Sequence, residues 1–189
     1  MRDSPRGHVS PAGSAPYLTP TIQIHEVAPV WKIRAQALSR RDVGPRKDDC
    51  IDLPARPNSG LGNDPYLLWK APGDWLAYST KHSVDPLTQW LRDLRYPDPL
   101  ILTDVSAGMA VIEMRGPGVI ELLLRDCSLD LEGTALMPGA CAQTSFAHAH
   151  ILLHRPLEEP NWRLFVERSV ALHVWEWLVD TAESLEASA

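Results

Sequence analysis

Apolar and polar residues alternate along residues 30–38, with Trp31, Ile33, Ala35 and Ala37 set against Lys32, Arg34 and Gln36. Period two is the mark of a strand with one buried face. Residues 21–30 alternate in part, through Ile22, Ile24 and Val27. Residues 66–70 and 75–78 are short apolar runs separated by Ala71-Pro72-Gly73-Asp74. A proline–glycine turn between two such runs predicts a hairpin.

The period then changes. Leu87, Trp90, Leu91 and Leu94 fall at i, i+3, i+4 and i+7 after Asp85-Pro86, an acidic cap followed by a proline that suits the first helical position. Tyr96-Pro97-Asp98-Pro99 stops that helix. Strands follow at residues 100–105 and 109–115, broken by Ser106-Ala107-Gly108. Gly116-Pro117-Gly118 turns the chain into a short apolar helix over residues 119–124. Further strands are predicted at 141–147, 149–154 and 162–166, with a turn near Ala149. The last helix is predicted to be capped by Ser169.

That last helix has an unusually wide apolar arc. Ala171, Val174, Trp175, Leu178 and Ala182 form the main stripe, and at 100° per residue Val170 and Trp177 widen it on one side, Leu172 and Val179 on the other. One sheet face does not cover so wide an arc, so a second surface, from this chain or another, is expected to cover the rest. Val170, Val174 and Trp177 are therefore candidates for a subunit interface. Trp31 joins them, because tryptophan is enriched where chains meet. The whole succession predicts an α+β protein with antiparallel sheets, helices on one face and split β-α-β units.

Residues 1–20 are rich in proline, serine, glycine and arginine and read as a flexible arm. Residues 21–184 read as one α+β domain, alternatively subdivided into halves at about 21–98 and 99–184, and residues 185–189 as a tail. The loop over residues 40–47 is the best local basic patch.

Composition removes several functions. The 189 residues carry a formal net charge of -6, which argues against a general binder of nucleic-acid backbone. No run approaches the roughly 18 apolar residues of a membrane span, and no apolar core follows Arg2 and Arg6 to make a secretory signal. Three cysteines with no CxxC pair read as reduced thiols, and the chain as cytoplasmic.

Candidate chemistry is sparse. His148, His150 and His154 share a parity, but a straight strand spreads them over about 20 Å, so they read as surface or strand-edge histidines rather than a metal site. Cys127 or Cys141 with a histidine lacks a legible third group to orient it. Gly116-Pro117-Gly118 lacks the third glycine of a dinucleotide fingerprint. The pairs Glu158-Glu159 and Asp48-Asp49 read as solvated loop charges. Asp104 and Glu113, the acids on the central strands, are the candidates for a folate-binding carboxylate. No catalytic, cofactor-binding or metal residue is predicted.

Cys127-Ser128-Leu129-Asp130-Leu131, Pro138-Gly139, Cys141-Ala142-Gln143-Thr144 and Leu152-Leu153-His154-Arg155 resemble the gamma subunit family of heterotetrameric sarcosine oxidase. Arg168-Ser169 with Trp175-Glu176-Trp177-Leu178 resembles the same family, as do Pro57-Asn58 and Trp69 with Gly73-Asp74-Trp75-Leu76. The resemblance implies a fold related to the folate-binding domain of aminomethyltransferase, the glycine-cleavage T-protein. Thr103-Asp104-Val105-Ser106 with Gly108 resembles the opening of that domain's pattern.

The resemblance also implies a small chain without catalytic residues or a cofactor of its own, packed on a large alpha subunit beside beta and delta subunits. FAD, FMN, NAD and tetrahydrofolate would belong to the other chains of the complex. It would oxidise the N-methyl group of sarcosine, pass the carbon to tetrahydrofolate, and send electrons to oxygen. A related N-methyl amine oxidase or dehydrogenase, or a stand-alone folate-binding one-carbon protein, are the alternatives.

Overall fold

The computed structural model describes residues 16–38, 53–96, 99–131 and 136–188. Residues 1–15 of the arm, the basic loop at 40–47 and the pair Asp48-Asp49 lie outside the described residues. Two antiparallel sheets form the frame. One has six strands in the order β1-β2-β8-β11-β10-β9: β1 (Tyr17–Leu18), β2 (Gln23–Glu26), β8 (Met109–Arg115), β11 (Asn161–Glu167), β10 (Ala149–His154) and β9 (Cys141–Phe146). The other has five, β4-β5-β6-β3-β7: β4 (Gly60–Leu61), β5 (Tyr66–Ala71), β6 (Asp74–Ser79), β3 (Trp31–Ala37) and β7 (Leu100–Asp104).

Strand parity decides which side chains go where. On β8 and β11, Ala110, Ile112, Met114, Trp162, Leu164 and Val166 point to helices α2 (Val119–Leu124) and α3 (Ala171–Glu186), where Leu122, Leu123, Val174 and Leu178 meet them. On β3 and β6, Ile33, Ala35, Trp75 and Ala77 point to Leu87 and Leu91 of α1 (Val84–Asp93). The opposite parities, Tyr66, Leu68, Leu76 and Tyr78 from one sheet and Val111, Leu152 and Phe165 from the other, meet between the sheets. The layers thus run helix, sheet, sheet, helices, and each sheet carries helices on one face.

The two sheets are stitched at one end. Cys141 N–H donates to Asn58 O at 3.0 Å, and Gly60 N–H to Gly139 O at 3.0 Å. They also exchange strands across residues 98 and 99: β2 lies in the six-stranded sheet beside β8, and β7 in the five-stranded sheet beside β3.

The helix starts differ from expectation. α1 begins at Val84 with Ser83 as its cap residue, so Asp85 lies inside the first turn, where a negative charge suits the helix N-terminus. Before α3 a 3-10 turn over Arg168–Val170 intervenes, and Val170, not Ser169, occupies the cap. β1 falls within the stretch predicted as a flexible arm, and β4 in one where no strand is predicted. Two-residue strands carry no periodicity and are made by their partners' ladders.

Candidate functional site

The largest concentration of polar side chains lies between the sheets. Glu113 stands at the centre of β8, and its register partner on β11 is Arg163. Both are almost fully buried. Arg163 Nε donates to Glu113 Oε2 at 3.0 Å, and Nη1 to the Tyr78 hydroxyl at 3.0 Å. A third donor, Nη2, meets Glu159 Oε2 at 2.5 Å. Arginine only donates, so the Tyr78 hydroxyl accepts from it and sends its own proton to His154 Nδ1, 2.7 Å away.

Around this line, Tyr66 donates to Glu159 Oε1 at 2.9 Å, and Asn161 Nδ2 to Glu159 Oε2 at 2.7 Å. Tyr66 stacks on Tyr78 with centroids 4.7 Å apart. At the outer mouth Arg115 and His25 approach Glu113 Oε1, at 2.7 and 3.4 Å.

Low dielectric sets the charge states. Burial, helped by the Arg163 charge, pushes His154 down to about 3, so it stays neutral. Burial pushes Tyr66 up to about 12 and Tyr78 well above the ordinary phenol range, against the pull of Arg163. Burial opposes the Arg163 cation, but Tyr78, Glu113 and Glu159 together hold it above the usual guanidinium range. Burial would raise Glu159. The Asn161 amide, the Arg163 charge and the Tyr66 hydroxyl outweigh it and keep this carboxyl low. A general acid or base works best with a pKa near the operating pH. Tyr66, Tyr78, His154 and Arg163 all titrate far from neutrality, and Glu113 is held in ion pairs. The arrangement joins the two sheets through buried ion pairs and hydrogen bonds.

Two sequence expectations are corrected here. His154 is not a surface or strand-edge histidine but 2% exposed, the end of the buried chain of hydrogen bonds. Glu159 is not a merely solvated loop charge, because Arg163, Tyr66 and Asn161 hold it. His148 sits in the turn between β9 and β10, where it and Ala147 take φ of 58° and 48°. Two left-handed residues in succession are the backbone of a tight hairpin turn. His150 is exposed on β10. Among the described residues no group of three or more histidine, cysteine or acidic side chains can hold a metal ion.

The fold does bring Cys141 opposite His154 on neighbouring strands. The thiol lies 3.4 Å from both Ser59 O and Trp69 O, and burial pushes it up to about 12. Burial thus favours the protonated, less reactive thiol. Cys127 lies on the periphery of the helix-side core.

Both folate candidates have partners within the chain. Glu113 is consumed by Arg163, Arg115 and His25. Asp104, at the end of β7, accepts the Ser106 N–H at 2.9 Å, as a turn carboxylate does. Close by, Lys32 is buried and donates to Val30 O at 2.9 Å. Burial and Arg168 push its ammonium down to about 8, against Asp104 and Glu26.

The interface candidates separate. Val174 is fully buried in the core of the chain itself. Trp177 is half-buried, with its ring edge-on to Phe146 at 4.7 Å. Trp31 is half-buried against the α1 layer. Val170 is 38% exposed, and Leu172, beside it, 45%. The sheet face of β8 and β11, with Phe146 of β9 and helix α2, covers most of the wide arc on α3.

A family model, the sarcosine oxidase gamma subunit family, matches residues 51–184. The sarcosine oxidase subunit gamma of Corynebacterium sp. strain U-96 is 24% identical over 194 residues, covering 100% of this chain and 93% of its own length. That of Corynebacterium sp. strain P-1 is 25% identical over 190 residues, covering 95% and 89%. A chain of the solved heterotetrameric sarcosine oxidase from Corynebacterium sp. U-96, in complex with pyrrole 2-carboxylate, superposes with a TM-score of 0.74 at 24% identity, over 97% of this chain and 95% of that one. The glycine cleavage system aminomethyltransferase T from Bartonella henselae superposes with a TM-score of 0.55 at 10% identity, over 82% of this chain and 45% of its own. The fold is thus shared with both.

Proposed function

The chain belongs to the sarcosine oxidase gamma subunit family, and on that premise we propose that it is a small non-catalytic subunit of a heterotetrameric flavoenzyme that oxidatively demethylates sarcosine. Its partners are the alpha, beta and delta subunits, with alpha the chain it packs on. FAD, FMN, NAD and tetrahydrofolate belong to those other chains. There the N-methyl carbon of sarcosine passes to tetrahydrofolate and the electrons to oxygen, giving hydrogen peroxide. The role of this chain is to supply a rigid shape and apolar contact area.

One observation supports this reading above the others. The polar groups gathered between the sheets are committed to one another, through the hydrogen bonds and ion pairs of Glu113, Arg163, Tyr78, His154 and Glu159. A set of mutually paired groups such as this stiffens a scaffold, which is what a non-catalytic subunit needs. Of the sequence candidates, Val170 stays exposed and Trp177 half-buried on the α3 side, and Trp31 half-buried on the α1 side, and these offer the remaining apolar contact area.

A native pull-down of the full chain from its source cell tests the proposal. The expected result is recovery of larger chains that carry flavin absorption in the visible. Sarcosine turnover, a flavin chromophore or tight tetrahydrofolate binding by the purified chain alone would overturn it.

A further inference from the structure

Strand β7 closes one side of the five-stranded sheet, and its hydrogen-bonding pattern shows which of its groups remain to be used. Val105 N–H donates to Lys32 O at 2.9 Å, and Leu38 N–H to Pro99 O at 3.1 Å. Antiparallel ladders alternate, so residues 99, 101, 103 and 105 face β3. Leu100, Leu102 and Asp104 therefore direct their backbone N–H and C=O away from the sheet. Among the described residues no strand pairs with that outer side.

Natural edge strands are guarded by lysine, proline, a bulge or extreme shortness. Leu-Ile-Leu-Thr-Asp has none of these over its five residues; its one charge is at the far end. Beside the edge lies a groove of about 530 Å³, walled by Leu91 and Arg92 of α1, by Leu94 and Tyr96 just beyond it, and by Pro99, Leu100 and Leu102 at β7. On the other face Ile101 is 50% exposed.

We propose that β7 is a strand-addition site: an extended segment of the large partner subunit pairs with Leu100, Leu102 and Asp104 and lays alternate apolar side chains into the groove under α1. The inference rests on the reading of the chain as a subunit of an assembly, and it specifies the contact. The backbone groups of the edge select an extended occupant whatever its sequence, and the leucines of the groove, with Arg92 in its wall, favour apolar side chains at every second position. A second copy of this chain is the other candidate. Two copies each carrying a net charge of -6 repel, which favours a different partner.

The test compares the chain with and without its partner subunits, co-expressed at full length. Amide exchange across residues 100–104 is expected to slow at least tenfold in the complex relative to the free chain. Leu102→Pro removes an outward N–H without touching the ladder to β3, a place where an edge strand tolerates proline. It is expected to cut recovery of the partner at least tenfold while the free variant keeps its far-UV spectrum. Unchanged exchange at 100–104 in an intact complex overturns the edge contact and leaves the subunit assignment standing. Failure of the unaltered chain to recover any flavoprotein partner overturns that assignment and this inference with it. A dimer of the chain alone that Leu102→Pro dissolves assigns the edge to a second copy and overturns the choice of partner.

Discussion

His154 shows how a single residue can tie stability to pH. Its imidazole is neutral in the fold because burial and Arg163 hold its pKa at about 3, whereas in the unfolded chain it titrates near 6.5. Below pH 6.5 the unfolded state binds a proton that the folded state refuses. Stability therefore falls as pH drops from 6.5 towards 3, by up to roughly 1.4 kcal/mol per pH unit. Glu159, held below its ordinary 4.5, loses its contribution in the same direction but only at the acid end of the range. Chemical denaturation at pH 7.0, 6.0 and 5.0 is expected to show the decline, and His154→Gln to flatten it above pH 4.5. A wild-type profile flat between pH 7 and 5 contradicts the buried, neutral state of this ring.

Among the elements, the corner that feeds α2 depends on a backbone that one residue type can supply. Gly116 has φ of +112°, and a Cβ there would stand 2.2 Å from Thr21 O, against backbone rather than a flexible side chain. The same carbonyl accepts Gly118 N–H at 3.0 Å, so this contact fixes α2 to the start of β2. Gly116→Ala is expected to destabilise the protein by about 1–3 kcal/mol in urea titration. Stability within about 0.5 kcal/mol of wild type would show that the corner relaxes freely.

The elements themselves were largely legible. Alternation located β3, Gly73 located the β5–β6 turn, and the Pro117 corner located α2 with its bounds Val119–Leu124. The helix starts were not, because a cap is set by which backbone donors lack partners. Asp85 and Ser169 have the right chemistry one or two residues away from the right place.

In the molecule as a whole, the junction between sheets couples the parts. Glu113 and Arg163 belong to the six-stranded sheet and Tyr78 to the other. We propose that residues 21–184 unfold as one unit rather than as two halves divided near 98. Breaking one buried ion pair should then weaken both sheets. Glu113→Gln leaves Arg163 charged and buried without its main partner, at a cost of about 3–5 kcal/mol. Amide exchange in β6 and in β11 is expected to accelerate together, by roughly two to four orders of magnitude. Acceleration confined to β8 and β11 would show two independently stable layers.

What the residues by themselves determined was local: which runs alternate, where glycine and proline turn the chain, which helix faces are apolar, and the family likeness carried by short motifs between Pro57 and Leu178. What only the tertiary structure decided was which charges meet. Glu113 lies 50 positions from Arg163, and Tyr78 lies 85 from it. A carboxylate amid Ala110, Val111, Ile112 and Met114 signals that a buried partner is needed, yet no spacing names it. Local pattern follows from backbone sterics and periodic burial, which act over a few residues. Pairing across sheets follows from register and layer order, which exist only once distant strands have come together.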